Sequence, residues 1–374
     1  MSAPARLIVI LGPTASGKSA LGIQLAQKLG GEVVVCDSTQ VYRRFDIGTA
    51  KVRGAEQRGV PHWMIDLVDA GEVFTAGDYR RRAEDILRDI HARGKLPIVT
   101  AGTGLYLRAL LEGLADAPTR SEELRARLRA GSARRGPEYL HRLLKRLDPG
   151  AAAGIGERDT QKIIRAIEIR VLARKPVKEV HESGRAPLEG FAPVKIGLGP
   201  PRTALYERIE HRVRAMFDAG WIEEVRALAA SGIPRVAKPF TFIGYREILA
   251  HVDAEAAKLA GVAPDSADAK TSAAAAGATA FSRGRDSARR RASASTPDVE
   301  TPRRAPRGHS AVASAQAGPS PVPEALIAEI QQATRRFAKR QLTWFRAESG
   351  VHWLDVFGDD PAAEVRALKL LSGA

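Results

Sequence analysis

The chain has 374 residues, of which 44% are hydrophobic, a composition typical of a soluble globular protein with room for more than one domain. The single cysteine, Cys36, excludes an internal disulfide and a cysteine-rich zinc site, and no run approaches the roughly 20 apolar residues of a membrane helix. The net charge of +15 favours an anionic partner such as nucleic acid or membrane lipid; without a membrane helix or signal segment, we expect a cytoplasmic monomer and no membrane partner.

The predicted elements of the N-terminal half alternate between short apolar runs and helical patterns. In chain order, the strand and helix candidates are Leu7–Leu11, Ser19–Leu29, Glu32–Cys36, Asp78–Arg93, Leu96–Thr100 and Val194–Leu198. Strands that alternate with helices predict an α/β fold built on a parallel sheet. In such a sheet, ligands bind beyond the carboxyl ends of the strands, so the loops after these runs are the first places to search for a site.

Helical patterns dominate the remainder of the chain. They cover Thr119 to Arg146, with predicted interruptions near Gly131 and Gly136-Pro137, then Asp159–Ala173, Thr203–Ala230 and Glu324–Arg346. We therefore divide the chain into a first core part (1–114), a helical insertion (115–190), a second core part (191–261), a disordered insertion (262–321) and a basic C-terminal helix and tail that complete the core (322–374).

Residues 262–321 differ in composition from the rest of the chain. They contain no Leu, no Ile and one aromatic residue, Phe281, so they bury too little apolar surface to offset the entropy cost of ordering. We interpret them as a disordered insertion. The alternative is a basic arm that touches RNA, because Arg289–Arg291 and Arg303-Arg304 form clusters.

A glycine-rich loop follows the first predicted strand and precedes the first predicted helix. Its sequence, GPTASGKS, matches the G-x-x-x-x-G-K-[ST] pattern of phosphate-binding loops. In such loops, backbone amides surround phosphate oxygens, the lysine adds a positive charge, and the hydroxyl lies near Mg²⁺. The pattern does not decide whether the ligand is ATP. It predicts that a diphosphate or triphosphate binds Gly12, Pro13, Thr14, Ala15, Ser16, Gly17, Lys18 and Ser19, with Ser19 as a Mg²⁺ ligand.

Polar segments follow two more of the predicted strands. DSTQVY begins at Asp37, after Glu32–Cys36, and AGTGLY spans 101–106, after Leu96–Thr100. Because both segments open on the same sheet edge as the phosphate loop, Asp37 is a candidate general base or metal ligand. The residue types leave open the alternative that Asp37 is a helix cap or turn residue, and they favour a turn role for Thr103.

Seven segments, taken in order, identify the chain as a member of a known family. They are GPTASGKS at 12–19, DSTQVY at 37–42, DIGTAK at 46–51, AGTGLY at 101–106, RIEHRV at 208–213, FIGYRE at 242–247 and RRFAKRQLTWFR at 335–346. This ordered set closely resembles the bacterial tRNA dimethylallyltransferases and covers the chain except about 255–322. The chain departs from the family pattern at Ala101, where the family has glycine, and near Lys162, where the family has a basic residue that is often arginine.

The resemblance implies a fold related to P-loop nucleotide kinases, Mg²⁺ as cofactor, and transfer of a dimethylallyl group from dimethylallyl diphosphate to N6 of the adenine immediately 3′ of the anticodon in tRNA. It implies that Asp37 is the catalytic base, that Thr103 is its hydrogen-bonding partner, and that Arg212 is a cation for the leaving diphosphate. It also implies that the anticodon stem-loop contacts Asp37, Ser38, Thr39, Gln40, Thr103, Arg125, Gln161, Lys162, Ile163, Ile164, Arg165, Thr241, Phe242, Ile243, Gly244, Tyr245, Arg246, Thr334, Arg335, Arg336, Phe337, Ala338, Lys339, Arg340 and Gln341.

Two other classes of function compete with this one. A P-loop kinase for a small molecule or nucleotide predicts phosphoryl transfer from a nucleoside triphosphate, and it leaves the basic helices unexplained. An RNA-binding module that uses ATP as a structural or switching ligand predicts tight tRNA binding without covalent change. Release of diphosphate that depends on an isoprenyl donor distinguishes all three.

Overall fold

Six strands form one parallel sheet at the centre of the computed structural model, which describes residues 3–259 and 322–372. The strands are β1 (Ala5–Leu11), β2 (Gly31–Cys36), β3 (His62–Trp63), β4 (Leu96–Ala101), β5 (Phe191–Leu198) and β6 (Val351–Leu354). Their order across the sheet is β3-β2-β4-β1-β5-β6, and every neighbouring pair is parallel. The predicted parallel α/β sheet is therefore confirmed.

The central strand β1 is covered on both faces, which explains why its sequence is a continuous apolar run. Ile8 pairs with Ile98 of β4 on one side and with Val194 of β5 on the other. Successive side chains of a strand point to opposite faces, so Val9 and Leu11 enter one hydrophobic cluster while Ile8 enters another. The sheet thus has a packed layer on each side, and its carboxyl edge is left for loops.

Helices cover the sheet and build the rest of the described chain. Their bounds are α1 (Lys18–Leu29), α2 (Ala76–Ala92), α3 (Gly104–Glu112), α4 (Glu122–Arg135), α5 (Tyr139–Leu147), α6 (Pro149–Gly154), α7 (Thr160–Ala173), α8 (Val177–Glu182), α9 (Arg202–Asp218), α10 (Trp221–Ala230), α11 (Tyr245–Leu259), α12 (Glu324–Arg346) and α13 (Pro361–Ser372), with 3-10 helices at Gly54–Gln57 and Lys238–Thr241. Helix α1 packs on one face of the sheet, and α2 and α3 pack on the other.

Helices α4 to α8, which lie within the predicted insertion at 115–190, pack around a hydrophobic cluster of their own. Leu128 and Ile164 are buried in it. The predicted interruption at Gly131 is wrong, because α4 continues through this residue. Glycine is needed there for packing instead: a Cβ at Gly131 would lie 2.7 Å from a ring carbon of Tyr139.

The C-terminal part of the chain returns to the sheet and to the loops at its edge. Helices α9 to α12 form a third cluster that also takes in Val41 and Phe45 from the loop after β2. The helical pattern over Thr203–Ala230 divides into α9 and α10 at Gly220, whose φ of 89° favours glycine. Strand β6 and helix α13, which the sequence patterns did not predict, extend the sheet and cover α1.

Three further predictions concern residues 262–321, membrane-spanning helices and the domain boundaries. The disordered insertion predicted for 262–321 lies outside the described residues. Within the described ranges, no helix has both the length and the apolar character needed to cross a membrane. The domain boundaries at 114, 190, 261 and 321 remain predictions.

Candidate active site at the carboxyl edge of the sheet

The loop between β1 and α1 has the backbone shape of a phosphate-binding loop. Gly12, Ala15 and Gly17 have φ values of 157°, 63° and 89°, and α1 begins directly after Gly17. A Cβ at Gly17 would lie 2.6 Å from the backbone nitrogen of Gly358. The same nitrogen donates a 2.9 Å hydrogen bond to the Ser16 carbonyl oxygen. The segment after β6 therefore braces this loop, and a side chain at position 17 would push it away.

Two cations at this loop lack a fully compensating anion. Lys18 Nζ donates a 2.7 Å hydrogen bond to the Pro13 carbonyl oxygen. Burial lowers the pKa of Lys18 to about 8; the Asp37 charge opposes this shift and the Arg212 charge adds to it. Arg212 is half-buried on α9, where burial lowers its pKa too, and within the described ranges no carboxylate pairs with it. Both side chains are thus arranged to receive an anionic ligand.

A second arginine of α9, Arg208, holds the segment after β6 against the phosphate loop. Arg208, one helical turn before Arg212, donates two hydrogen bonds of 2.7 and 2.8 Å to the Asp359 carboxylate. Asp359 directly follows Gly358, which contacts the phosphate loop. The RIEHRV motif therefore supplies one arginine that holds the loop in place and one that remains free.

The Asp37 carboxylate is held by one oxygen and open at the other. Asp37 Oδ1 accepts hydrogen bonds from the Thr39 N–H (2.9 Å) and the Thr39 hydroxyl (2.7 Å). Among the described residues, Oδ2 has no hydrogen-bond donor. A Cβ at Gly102 would lie 2.6 Å from Oδ2, so the glycine after β4 leaves room for this oxygen. Asp37 is therefore fixed in orientation and keeps a free acceptor.

Thr103 joins the two strand-end segments to each other. Its hydroxyl accepts a 3.0 Å hydrogen bond from the Ser38 N–H and donates a 3.2 Å hydrogen bond to the Ser38 hydroxyl. Its N–H donates to the Cys36 carbonyl oxygen at 3.1 Å. Thr103 also stands at the N-terminus of α3, where its side chain forms no capping hydrogen bond. These contacts position the segment after β2, and the predicted catalytic role stays a prediction.

A buried glutamine connects the phosphate loop to the segment after β4. Gln341 of α12 accepts a 2.7 Å hydrogen bond from the Thr14 N–H through Oε1, and its Nε2 donates a 2.7 Å hydrogen bond to the Gly102 carbonyl oxygen. The resemblance assigned Gln341 to RNA, but the structure directs its amide inward. The bridge was not foreseen, because its partners are 327 and 239 residues away.

The segment at 46–51 shapes the loop that follows Asp37. The Lys51 side chain is fully buried and pairs with Asp46 at 2.8 Å and with Asp66 at 2.6 Å. Nearby, Gln40 Nε2 donates a 3.0 Å hydrogen bond to the Thr49 carbonyl oxygen. A buried charge needs such partners, so this network fixes the path of the chain between β2 and β3.

The predicted RNA-contacting residues of α12 divide between its two faces. Arg336, Lys339 and Arg340 are exposed, and within the described ranges none of them forms an ion pair. Arg335 pairs with Glu210 of α9. The remaining members point inward or are half-buried: Thr334, Phe337, Ala338 and Gln341.

The predicted RNA-contacting residues of the insertion are mostly interior. Arg125 is buried and donates hydrogen bonds of 3.0 and 2.9 Å to Glu168, which also accepts from Arg165 at 2.6 Å. Burial alone would raise the pKa of Glu168, but the hydrogen bonds from these arginines lower it to about 2. The described structure thus engages both arginines internally. Ile163 and Ile164 are buried, whereas Gln161 and Lys162 are exposed, and Lys162 pairs with Asp159 at 2.8 Å.

The segment 241–246 is a packed turn with an exposed rim. Tyr245 is buried and donates a 2.6 Å hydrogen bond to Glu224, while the Gly48 N–H donates to its hydroxyl at 3.1 Å. Gly244 lies against the Trp221 ring, where any Cβ would overlap. Phe242 and Ile243 are half-buried, and Thr241 and Arg246 are exposed.

The residues at the phosphate loop suit Mg²⁺ only as a partner of bound phosphate. Within the described ranges, no group of three or more His, Cys, Asp or Glu side chains could hold a metal ion. Ser19, in the first turn of α1, is half-buried, and Asp37 offers one free oxygen. Mg²⁺ in phosphate sites binds one or two protein oxygens and takes its other ligands from phosphate and water. Such a donor set fits Mg²⁺ that arrives with a diphosphate.

Together these features define a P-loop α/β enzyme in which a free carboxylate oxygen shares the sheet edge with a phosphate loop and an unpaired arginine. The sequence pattern of the IPP transferase family matches residues 40–276 and 309–348. The chain belongs to this family, and the predicted family and fold class are confirmed.

Relatives and a solved structure agree with this assignment. The chain is 42% identical to the tRNA dimethylallyltransferase of Koribacter versatilis over 98% of this chain and 97% of the relative. It is 40% identical to that of Solibacter usitatus, over 97% and 96%. The crystal structure of the tRNA isopentenylpyrophosphate transferase from Bacillus halodurans is similar with a TM-score of 0.59 and 30% identity, over 98% of this chain and 96% of that one.

Proposed function

We propose that this enzyme transfers a dimethylallyl group from dimethylallyl diphosphate to N6 of the adenine immediately 3′ of the anticodon in tRNA, with release of diphosphate. The observation that carries the proposal is the free Oδ2 of Asp37 beside a phosphate loop. One group of residues can hold the diphosphate, and a base stands next to it to receive the acceptor.

The donor half of the site suits a leaving diphosphate. Breaking the bond between the allylic carbon and its oxygen places negative charge on the diphosphate and positive charge on the carbon. The amides of the 12–19 loop, Lys18 and Arg212 stabilise that negative charge where it develops. Mg²⁺, which the family relationship suggests, would be held by Ser19 and the diphosphate oxygens and would add further charge stabilisation.

The acceptor half of the site centres on Asp37. The N6 amine is a weak nucleophile because its lone pair is delocalised into the purine. Asp37 Oδ2 accepts a hydrogen bond from this amine, and as the new carbon–nitrogen bond forms, it takes the proton that the nitrogen loses. The adenine reaches this position by leaving the stack of its loop, as in other enzymes that modify bases.

The exposed basic residues supply the contact with RNA. Arg336 and Lys339 lie on the outer face of α12 without ion pairs among the described residues. Each cation that meets a phosphate releases counterions, so replacing both with alanine should lower the slope of log affinity against log salt concentration by about 1.5. An unchanged slope in a filter-binding titration would remove this face from the proposal.

The test of the proposed function is the mass of the RNA product. The enzyme is incubated with dimethylallyl diphosphate, Mg²⁺ and an unmodified anticodon stem-loop, and the RNA is weighed by mass spectrometry. We expect a gain of one dimethylallyl group, its loss when the target adenine is replaced by guanine, and turnover about 10²–10⁴-fold slower in Asp37→Asn with RNA affinity retained. No gain with intact tRNA, together with donor-independent turnover of ATP, would favour the kinase.

A further inference from the structure

A cleft of about 630 Å³ opens between α3 and α12. Arg108 lines it from α3, and Arg336, Lys339, Arg340 and Trp344 line it from α12. These α12 residues follow the spacing i, i+3, i+4 and i+8, so they share one face of the helix. The cleft is therefore built from two elements that also reach the active site: α3 begins at the Thr103 loop, and α12 carries the Gln341 bridge.

The charge of the cleft is positive and largely uncompensated. Arg336, Lys339 and Arg340 are exposed, and no carboxylate of the described ranges pairs with them. Neighbouring Arg335, by contrast, is neutralised by Glu210 of α9. A concave surface with several free cations attracts a polyanion, and RNA is the polyanion that the proposed function brings to this enzyme.

An aromatic ring stands in this cationic cleft. Trp344 remains 37% exposed, which is unusual for so large an apolar side chain. The Arg108 guanidinium lies 4.8 Å from the centre of the Trp344 ring. The same guanidinium forms ion pairs with Glu112 at 3.6 Å and with Glu348 at 3.7 Å. Unpaired RNA bases stack on aromatic rings and on arginine planes, so this pair offers the flat surface that a base requires.

The position of the ring ties it to the acceptor site. Trp344 packs directly on Gly104, where any Cβ would overlap the ring. A Cβ at Gly102, two residues earlier, would lie 2.6 Å from Asp37 Oδ2. Two residues of chain span at most about 7 Å, so the ring lies within a short reach of the position where the target adenine meets Asp37.

We propose that Trp344 and Arg108 form a subsite that stacks an unpaired base flanking the target adenine. This inference rests on the proposed function, since it takes the anticodon loop as the ligand. The stack holds the loop open next to Asp37 while the target base leaves it. Neither residue was among the RNA contacts that the resemblance implied.

A cycle of protein and RNA changes tests the subsite. Affinity is measured for the wild type, Trp344→Ala, Trp344→Phe and Arg108→Gln, each with the unmodified stem-loop and with stem-loops that lack the base on the 5′ or the 3′ side of the target adenine. Val365→Ala on α13 is the control, because Val365 is an exposed apolar side chain outside the cleft.

We expect Trp344→Ala to weaken binding about 10- to 100-fold, the range for losing one base–aromatic stack, and Trp344→Phe to weaken it less. Removing one of the two flanking bases should weaken wild-type binding similarly, and Trp344→Ala should then cause no further loss. If the two losses multiply for both flanks, or if Trp344→Ala binds like the control, the subsite is refuted. The wild-type arm with base-deleted RNA needs no mutant to fold, and the wild-type mass gain tests the proposed function separately.

Discussion

Replacing Gln341 should uncouple the phosphate loop from the acceptor side of the site. Gln341→Met keeps the length of the side chain and removes both hydrogen bonds. The Gly102 carbonyl oxygen is buried at this contact and would lose its partner at about 1–3 kcal/mol, while the Thr14 N–H is less buried and would lose less. If losing both hydrogen bonds costs the positioned site about 2–4 kcal/mol in total, kcat/KM for the donor should fall roughly 30- to 1000-fold.

The assay for this prediction separates positioning from RNA binding. Steady-state kcat and KM are measured for the donor, and RNA affinity is measured directly. Gln341→Glu keeps the acceptor for Thr14 but sets a carboxylate against the Gly102 carbonyl oxygen, so it should also be slow. Gln332→Met, at an exposed position of the same helix, is the control. Normal kcat/KM in a folded Gln341→Met protein, or a loss confined to RNA affinity, would refute the bridge.

Three more predictions follow from the same residues. Donor affinity should fall as pH rises above about 8, because the diphosphate binds charged Lys18 and the free enzyme loses that proton there; calorimetry should record proton uptake on binding. Gly102→Ala should nearly abolish transfer while RNA still binds, since its Cβ would lie 2.6 Å from Asp37 Oδ2. Glu168→Gln should lower the free energy of unfolding by roughly 3–5 kcal/mol, because it breaks a buried ion pair with Arg125.

Each of these has a matched control or a contradicting result. Binding without proton uptake near pH 8 would mean that Lys18 is already charged in the free enzyme. Gly71→Ala is the control for Gly102→Ala, because a Cβ at Gly71 would meet no atom within 4 Å. The depressed pKa of Glu168 stabilises the fold above about pH 4.5, and this stabilisation should disappear as pH falls towards 2, so wild type and Glu168→Gln should converge in acid.

Local patterns predicted the parts of the fold that depend on neighbouring residues. The apolar runs of β1 and β2 are buried, as is β4 after Leu96. A shared sheet edge followed from the parallel order of these strands, so Asp37 and Gly102 could be placed together in advance. β3 has two residues and β6 has four, too few for a pattern. The brace by Gly358 and the bridge by Gln341 depend on contacts across most of the chain, which no local pattern encodes.

The interior arginines show a second limit of sequence reasoning. Arg125 lies on a helix rich in basic residues, and the family resemblance implied that it contacts RNA. Its partner Glu168 lies 43 residues further on, in another helix, and only folding brings the two charges together inside the insertion. Arg336 and Lys339 are exposed instead, and no acidic partner folds onto them within the described ranges.

The phosphate loop proposed to hold the donor is separated along the chain from two of its supports by more than 300 residues: Gln341 lies 327 residues after Thr14, and Gly358 lies later still. Ser16 accepts its hydrogen bond from Gly358, and Thr14 donates to Gln341. A growing chain can therefore form β1 and α1 early, but it cannot complete the catalytic edge until synthesis has passed residue 358. Contacts between segments so far apart in sequence slow folding, and a growing chain that has not reached residue 341 lacks both supports of the loop.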